Sequence, residues 1–260
     1  MSADEDIEYT DELITKLEIA FGKGFLSPGG DEEVGKIVEG IDLKEREVLD
    51  IGIGIGGPAC LLVAIHGAER VTGIDVENPV LEKASATITS YGLEGRVILK
   101  LVSPGPLPFE NASFDVVFSK DSIIHIPDKK LLFEEVFRVL RPGGWLAMSD
   151  WYCSSEPFTE EMKDWVQSTG LSFAMQPIEY DGGLLEGIGF VECDTLDRNA
   201  WFADFSHKLV GRLTGPDYDA VVSALGEVDA IAWLSRAKMR AVISAQGQLR
   251  PGHIRGRKPN

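Results

Sequence analysis

Short apolar runs alternate with segments of helical spacing between residues 47 and 150 of this 260-residue chain. Such runs are typical of strands that are buried on both faces of a sheet. We predict strands at residues 48–52, 70–75, 97–101, 114–119 and 145–149, and helices at residues 58–66, 79–91 and 129–140. The alternation predicts an α/β fold with parallel strands, right-handed crossovers and ligands at the carboxyl ends of the strands.

Both flanks of this region have a mainly helical pattern. Residues 11–21 and 31–39 are predicted helices, separated by a loop at residues 22–30. Later helical patterns at residues 160–171, 178–186 and 200–245 accompany a predicted strand at 190–195 and a predicted edge strand at 253–257. We predict one structural domain whose parts are an N-terminal helical flap (1–45), an α/β core (46–197), a helical insertion or lid (198–250) and a last strand with a tail (251–260). The flap and the lid are expected to lie over the ligand cleft.

Composition and charge narrow the classes of function. A hydrophobic content of 44% indicates a packed globular protein. The net charge of −17 argues against nucleic-acid binding, because no segment collects enough lysine and arginine to neutralise a phosphate backbone. The same acidity suits a cationic ligand, or it serves solubility alone. No apolar run reaches the length of a membrane-spanning helix, so we expect no membrane insertion.

The cysteines and histidines add two expectations. Cys60, Cys153 and Cys193 are odd in number and widely spaced, which predicts reduced thiols in a cytoplasmic protein. The acidic N-terminus has no apolar segment of the kind that a secretory signal requires. The histidines show no ligand spacing with cysteines or carboxylates, so we predict no metal site.

Residues 48–57, Val-Leu-Asp-Ile-Gly-Ile-Gly-Ile-Gly-Gly, form the most informative motif. At a strand–helix junction, glycines let the backbone approach a bound nucleoside closely. Gly52, Gly54 and Gly57 also satisfy the dinucleotide pattern, so the glycines leave NAD and S-adenosylmethionine (SAM) open. Asp50 favours SAM, because a carboxylate attracts its ammonium and sulfonium groups. Repulsion between this carboxylate and a pyrophosphate would cost about 1–4 kcal/mol at effective dielectric constants of about 80 to 20.

Three further residues follow predicted strands, where chemistry is expected. Asp75 ends the second strand and can accept both hydroxyls of a ribose. The alternative is an ordinary acid at a turn, and the glycine loop at the right distance favours the functional role. Asp121 and His125 follow the fourth strand, which places them near the cofactor's reactive end. His125 lies between isoleucines, a setting that also suits a core histidine. We favour a catalytic or orienting role because this loop lines the cleft.

These motifs together resemble class I SAM-dependent methyltransferases over residues 48–150. The resemblance is carried by the glycine loop, Gly73-Ile74-Asp75, residues 114–127 and Arg141-Pro142-Gly143-Gly144. More narrowly, the chain resembles the phosphoethanolamine N-methyltransferases and their bacterial relatives. The segments that carry this resemblance are residues 8–12, 21–22 with 26–30, 50–57 and 120–125, and Asp150 with its aromatic neighbours. The resemblance implies a Rossmann-like seven-stranded sheet, mostly parallel with an antiparallel last strand. It also implies SAM as cofactor and S-adenosylhomocysteine as its product.

The resemblance assigns roles to individual residues. Tyr9 and His125 match a tyrosine–histidine pair that latches the site and can relay the proton of an amine. The implied cofactor contacts are Tyr9, Ser27, Asp50, Gly52, Gly54, Asp75, Val76, Ser103, Pro104 and Ser119. The implied substrate contacts are Asp121, Trp151, Tyr152, Trp165 and Lys238.

The departures from the family pattern bear on the acceptor. Ser103 stands where the family usually has an acid that meets adenine. Thr169 and Leu171 occupy positions of the family's phosphate clamp, and each lost hydrogen bond would cost about 1–3 kcal/mol. We predict methyl transfer to a small amine that resembles phosphoethanolamine or glycine, sarcosine or dimethylglycine, by a monomer or homodimer. Methylation of oxygen or sulfur in a small metabolite, a non-catalytic SAM-binding module and NAD-dependent oxidoreduction stay open as alternatives.

Overall fold

Seven strands form one mixed sheet in the computed structural model, which describes residues 9–260. The strands are β1 Glu47–Ile51, β2 Arg70–Asp75, β3 Val97–Leu101, β4 Phe114–Lys120, β5 Leu140–Cys153, β6 Val191–Asp197 and β7 Leu249–Arg257. Their order is β3-β2-β1-β4-β5-β7-β6. Pairing is parallel from β3 through β5, and β7 is antiparallel to both of its neighbours. This confirms the predicted fold class.

The prediction of an edge strand at residues 253–257 is wrong. His253 pairs with Ser149 of β5 on one side and with Leu196 of β6 on the other, so β7 is an interior strand. Ile254 is accordingly buried in the core, whereas β6 is exposed along most of its length. A single short apolar run cannot show whether a strand has one neighbour or two, because that depends on pairing with distant segments.

Helices cover both faces of the sheet. They are α1 Asp11–Phe21, α2 Gly30–Ile37, α3 Gly57–Ala64, α4 Asn78–Tyr91, α5 Lys129–Val139, α6 Glu160–Thr169, α7 Ile178–Ile188, α8 Asn199–Leu213, α9 Tyr218–Leu225 and α10 Glu227–Ala245. Cys60 of α3 and Leu81 of α4 pack with Val48 on one face. Phe133 of α5 and Leu185 of α7 pack on the other. Successive strand residues thus enter opposite cores, as expected for a sheet buried on both faces.

The helices outside the α/β core pack together near the strand ends. Ala20 of α1 lies in one apolar cluster with Leu209 of α8 and Trp233 of α10. A second cluster joins Trp165 of α6 and Phe202 of α8 to the end of β5. The predicted domain limits stay a prediction, and the part of the predicted flap before Tyr9 lies outside the described residues. Within residues 9–260, no helix combines the length and apolar character needed to cross a membrane.

Candidate active site

A cavity of about 570 Å³ opens at the carboxyl ends of β1, β2 and β4. Its walls include the glycine turn after β1, the loop at residues 102–108 and the flap residues Tyr9, Leu26 and Ser27. The volume suits a drug-sized or nucleoside-sized ligand. This is the edge of a parallel sheet where the sequence predicts ligand binding.

The backbone of the glycine turn packs directly against the backbone of the flap loop. Gly52, Gly54 and Gly56 have positive φ angles, which residues with a side chain rarely adopt. Gly57 donates its N–H to the carbonyl of Gly24 at 3.1 Å, and a Cβ on Gly57 would lie 2.2 Å from that oxygen. The flap loop can therefore pack on the turn only because position 57 is glycine.

Asp50 is a buried carboxyl group in the cavity wall. It is 1% exposed, and among the described residues its Oδ2 has no hydrogen-bond partner. Burial, with a smaller contribution from the nearby charge of Asp75, raises the pKa of Asp50 to about 8. A cation in the cavity would supply the missing partner and stabilise the ionised form.

Asp75 ends β2 and is held by the backbone around it. Its Oδ2 accepts from the N–H of Gly54 at 3.2 Å, and its Oδ1 accepts from the N–H of Glu77 at 3.1 Å. Burial raises the pKa of Asp75, although these hydrogen bonds oppose the shift. Each carboxylate oxygen can accept a second hydrogen bond, so the group can take both hydroxyls of a ribose.

Tyr9 and His125 meet across the cavity. The Tyr9 hydroxyl lies 3.2 Å from Nε2 of His125, and Nδ1 of His125 lies 2.9 Å from the carbonyl oxygen of Ser172. Because a carbonyl only accepts, Nδ1 carries the proton in this contact. Nε2 of the neutral ring then accepts from the tyrosine hydroxyl. The predicted tyrosine–histidine pair is thus brought together, with Nε2 at the cavity as a proton acceptor.

Asp121 follows β4 with a φ of 57°, an uncommon backbone conformation for a residue with a side chain. Ser149 donates to its Oδ1 at 2.9 Å, and Lys120 donates to its Oδ2 at 2.8 Å. Lys120 also donates to Ser27 Oγ at 2.6 Å and to the Pro28 carbonyl at 2.8 Å. Sequence reasoning missed Lys120, although its position beside Asp121 at a strand end was an available signal.

Most of the other predicted cofactor residues line the cavity, and one does not. Val76, Ser103 and Pro104 line the cavity, as do Gly52 and Gly54. Ser119 does not, because it lies within β4 with its side chain turned toward β1. Its hydroxyl donates to the carbonyl of Ile51 at 2.8 Å.

Four predicted substrate residues do not line this cavity, and their role stays a prediction. Tyr152 is 1% exposed in the core, because alternate residues of β5 point to opposite faces. Trp165 is stacked between Trp151 and Phe173, and Lys238 is exposed on α10. Trp151 instead lines a small pocket that also contains Asp121.

Comparisons with known proteins agree with this geometry. Residues 49–148 match the family model described as a methyltransferase domain. Phosphoethanolamine N-methyltransferase 1 of Arabidopsis thaliana is 29% identical over 230 residues, which cover 84% of this chain and 46% of that protein. The chain contains a methyltransferase domain and is similar to class I SAM-dependent methyltransferases. It spans about half the length of the curated relatives that it matches first, as the share of the Arabidopsis protein shows.

Two solved structures are similar to this chain over most of its length. Phosphoethanolamine N-methyltransferase 2 of Haemonchus contortus, in complex with phosphomonomethylethanolamine and S-adenosylhomocysteine, has a TM-score of 0.89 at 25% identity. The match covers 98% of this chain and 59% of that chain. A sarcosine dimethylglycine methyltransferase, so described for Galdieria sulphuraria, has a TM-score of 0.75 at 22% identity and covers 88% of this chain and 84% of that one. The second likeness shows the shared fold alone.

Proposed function

We propose that this chain transfers a methyl group from SAM to the amine nitrogen of a small molecule. The observation that carries the proposal is the wall around Asp50. A buried carboxyl oxygen without a partner among the described residues faces a nucleoside-sized cavity, with a hydroxyl–imidazole pair at the same cavity. A cationic nucleoside donor would favour the ionised form of Asp50 and be attracted by it. A pyrophosphate would gain no such attraction and would be repelled whenever Asp50 is ionised.

Each part of the donor would meet a protein group of matching chemistry. Asp75 would accept the ribose hydroxyls, and Asp50 would face the cationic end. Gly52 and Gly54 allow the close backbone approach, and Val76 with the loop at 102–108 provides an apolar wall for a purine. SAM, when bound, supplies an already activated methyl group. The protein's task is therefore to align the reactants and exclude water.

The acceptor side is built for an amine. An ammonium group must lose a proton before its nitrogen can attack. The Tyr9 hydroxyl could accept that proton while its own proton passes to Nε2 of His125. Asp121 lines the same cavity and offers a carboxylate to an ammonium. The phosphoethanolamine N-methyltransferase relatives support an amine acceptor, and their partial coverage leaves the substrate itself a proposal.

We also propose that the acceptor carries an acid group, phosphate or carboxylate. Arg240 of α10 packs against the rings of Phe21 and Phe202, and its Nε has no partner among the described residues. Burial lowers the pKa of Arg240 to about 10. Phe202 contacts Trp151, which shares the small pocket with Asp121. An acceptor with both groups could thus place its ammonium at Asp121. Its acid group would lie toward Arg240, which is on the other side of the rings of Trp151 and Phe202.

The deciding experiment is a screen of amines with SAM that carries a radiolabelled methyl group. The amines are ethanolamine phosphate, glycine, sarcosine and dimethylglycine, and calorimetric titrations with SAM and S-adenosylhomocysteine accompany the screen. We expect binding of both nucleosides and label transfer to at least one amine. Binding without transfer to any acceptor would indicate a non-catalytic module, and label on oxygen or sulfur would overturn the amine assignment.

Changing Asp75 tests the donor site directly. Asp75→Ala should weaken SAM binding by about tenfold or more, because it removes a charge-assisted acceptor from the ribose. The exposed Asp229→Ala on α10 is the matched control and should leave the dissociation constant unchanged. An unchanged affinity in Asp75→Ala would show that the ribose lies elsewhere.

The proposed setting is the cytoplasm, with the chain acting as a monomer or homodimer. Cys60, Cys153 and Cys193 are free thiols, and burial raises the pKa of each. Thiols of this kind suit a reducing compartment. Non-reducing and reducing electrophoresis of freshly purified protein should give the same band.

A further inference from the structure

The loop after β3 lies next to Asp75, where the ribose of the proposed donor would bind. Asp75 pairs with Leu101 in the parallel register of β2 and β3, and the N–H of Val102 donates to the carbonyl of Asp75 at 3.0 Å. Asp50 belongs to β1, on the opposite side of β2. A nucleoside with its cationic end at Asp50 and its ribose at Asp75 therefore places its base against the loop at residues 102–108.

This loop has few groups that can hydrogen-bond the edge of a base. Its sequence is Val-Ser-Pro-Gly-Pro-Leu-Pro, so Ser103 carries its single polar side chain and its three prolines have no backbone N–H. The N–H of Leu107 is already donated to Glu135 Oε2 at 2.9 Å, and that of the first loop residue is used by β2. Within residues 102–108, all of which the structure describes, Ser103 and Gly105 alone keep an N–H that no described residue accepts.

The middle of the loop is open to solvent, and its ends are held. Residues 103–106 are exposed, and nothing lies within 4 Å of the position that a Cβ on Gly105 would take. At the far end, Arg138 donates to the carbonyls of Leu107 and Phe109 at 2.9 and 2.7 Å. The 6-amino edge of a purine points away from its ribose and would meet this exposed part. A hydrogen bond formed there competes with water and adds little to affinity.

The carboxyl groups near this loop are already engaged. Glu135 accepts from Arg138 Nε at 2.8 Å in addition to its contact with the loop, and this hydrogen bond lowers the pKa of Glu135. Asp128 caps α5 by accepting from the N–H of Leu131 at 3.0 Å. The side chains of Val76 and Leu131 line the cavity here and are about half exposed. Apolar groups of this kind can cover the flat face of a purine, but they do not distinguish the substituents on its edge.

We propose that the donor site recognises a purine nucleoside by the faces of its base and by its ribose, and that it does not read the 6-amino group. The site therefore also accepts 6-oxopurine nucleosides and adenosyl compounds that carry a substituent on the 6-amino nitrogen. The inference rests on the proposed function and deepens it, because it widens the class of donor. The contacts proposed for Asp50 and Asp75 are the same for all of these ligands.

The first test replaces the 6-amino group by an oxygen. Calorimetric titration compares S-adenosylhomocysteine with S-inosylhomocysteine, and we expect affinities within about fivefold of each other, because water can pair with either edge. A larger loss would overturn the proposal, since a site built to bind the amine leaves its own polar group unpaired against the oxygen. Failure of both nucleosides to bind would instead overturn the proposed function.

The second test enlarges the base. S-adenosylhomocysteine with a benzyl group on its 6-amino nitrogen should bind within about tenfold of the parent compound, because its ring would extend into solvent beyond the loop. A greater loss, as expected from overpacking an enclosed pocket, would overturn the open edge. The matched control ligand carries a methyl group on the ribose 2′-oxygen and should bind at least about tenfold more weakly, because it removes a donor from Asp75. Undiminished binding of this control would overturn recognition through the ribose.

The third test builds the missing contact into the loop. Ser103→Asp offers a carboxylate that accepts from a 6-amino group and repels a 6-oxo group. This variant should gain a preference of about tenfold for S-adenosylhomocysteine over S-inosylhomocysteine. Ser90→Asp is the matched control, because Ser90 is an exposed serine on α4 outside the cavity lining, and it should keep the two affinities close. An unchanged ratio in Ser103→Asp would show that the base edge lies elsewhere and would overturn the proposal. If Ser103→Asp does not fold, the two ligand comparisons still decide.

Discussion

The buried carboxyl group of Asp50 makes the binding of a cationic ligand depend on pH. Its pKa is raised to about 8 by burial and by Asp75, so the unliganded carboxyl group is largely protonated at neutral pH. A cationic ligand favours the ionised form, and binding then requires loss of the proton. The preference of the site for SAM and its pH dependence therefore have the same physical origin.

We predict that SAM affinity increases as the pH rises toward the pKa of Asp50. Below about pH 8 the apparent dissociation constant should fall by up to about tenfold per pH unit, because one proton leaves on binding. Titrations in two buffers of different ionisation enthalpy at about pH 7 should show proton release. Asp50→Asn should bind more weakly and without this pH dependence. A constant affinity across the range in the unchanged protein would contradict the assignment.

His125 gives the corresponding prediction for turnover. His125→Ala should reduce the rate of methyl transfer by about a hundredfold or more, the range of a lost general base, with a much smaller effect on SAM affinity. Single-turnover kinetics and calorimetry separate the two effects. His207→Ala on the exposed face of α8 is the control and should behave like the unchanged protein. Transfer within a few fold of normal in His125→Ala would show that another group takes the proton.

At the scale of elements, one buried ion cluster ties α2 to the far side of the sheet. Glu33 of α2 accepts from Arg198 at 2.9 and 2.8 Å, and its Oε1 lies 2.7 Å from Nε2 of His253 in β7. Burial would raise the pKa of Glu33, but the hydrogen bonds from His253 and Arg198 outweigh it and lower the pKa to about 2. The cluster fixes α2 directly after the flap loop that Lys120 holds.

Removing a charge from this cluster should lower the free energy of unfolding far more than removing a charge from an exposed ion pair. Glu33→Gln should lower the free energy of unfolding by up to about 3–5 kcal/mol, because it leaves the half-buried Arg198 without a charged partner. Glu32→Gln is the matched control on the same helix, where the exposed pair with Lys36 contributes at most about 1 kcal/mol. Urea denaturation measures both. Equal losses in the two variants would show that the buried cluster adds no stability of its own.

At the scale of the whole molecule, buried acids fall into two sets with opposite shifts. Burial raises the pKa of Asp50 and of Asp150 to about 8 and that of Asp181 to about 6. Lys129, with Nζ 3.7 Å from Asp150 and 3.9 Å from Asp181, limits both of the latter shifts. The pKa of Glu33, in contrast, is lowered to about 2. These sets act on stability in different pH ranges.

The unliganded protein should be most stable at mildly acidic pH. As the pH rises from about 4 to about 8, the unfolded chain releases protons that the three aspartates retain, so stability falls. As the pH falls below about 4.5, the contribution of Glu33 is lost progressively toward about 2. Melting temperatures measured across this range should show a maximum. In Asp150→Asn, the melting temperature should decrease less as the pH rises toward about 8. A melting temperature that rises steadily from about pH 5 to about pH 8 would contradict this account.

Local signals in the sequence are sufficient to predict the five parallel strands, the glycine turn and the acids at the strand ends. Periodicity, glycine and a terminal carboxylate are local signals, so Asp50, Asp75 and His125 could be placed at the cavity without coordinates. The seven-stranded fold came from resemblance, which transfers the pattern of a family but not the direction of each side chain. Trp165 and Tyr152, which the resemblance assigns to the substrate, accordingly do not line the cavity.

Contacts between residues that are distant in the sequence became visible only in the three-dimensional structure. Lys120 meets Ser27 across 93 positions and His253 meets Glu33 across 220, and no local pattern encodes either pair. The interior place of β7 likewise depends on strands that precede it by many residues. Such contacts are set by how helices and strands pack in three dimensions, and in this protein they determine which charges face the ligand.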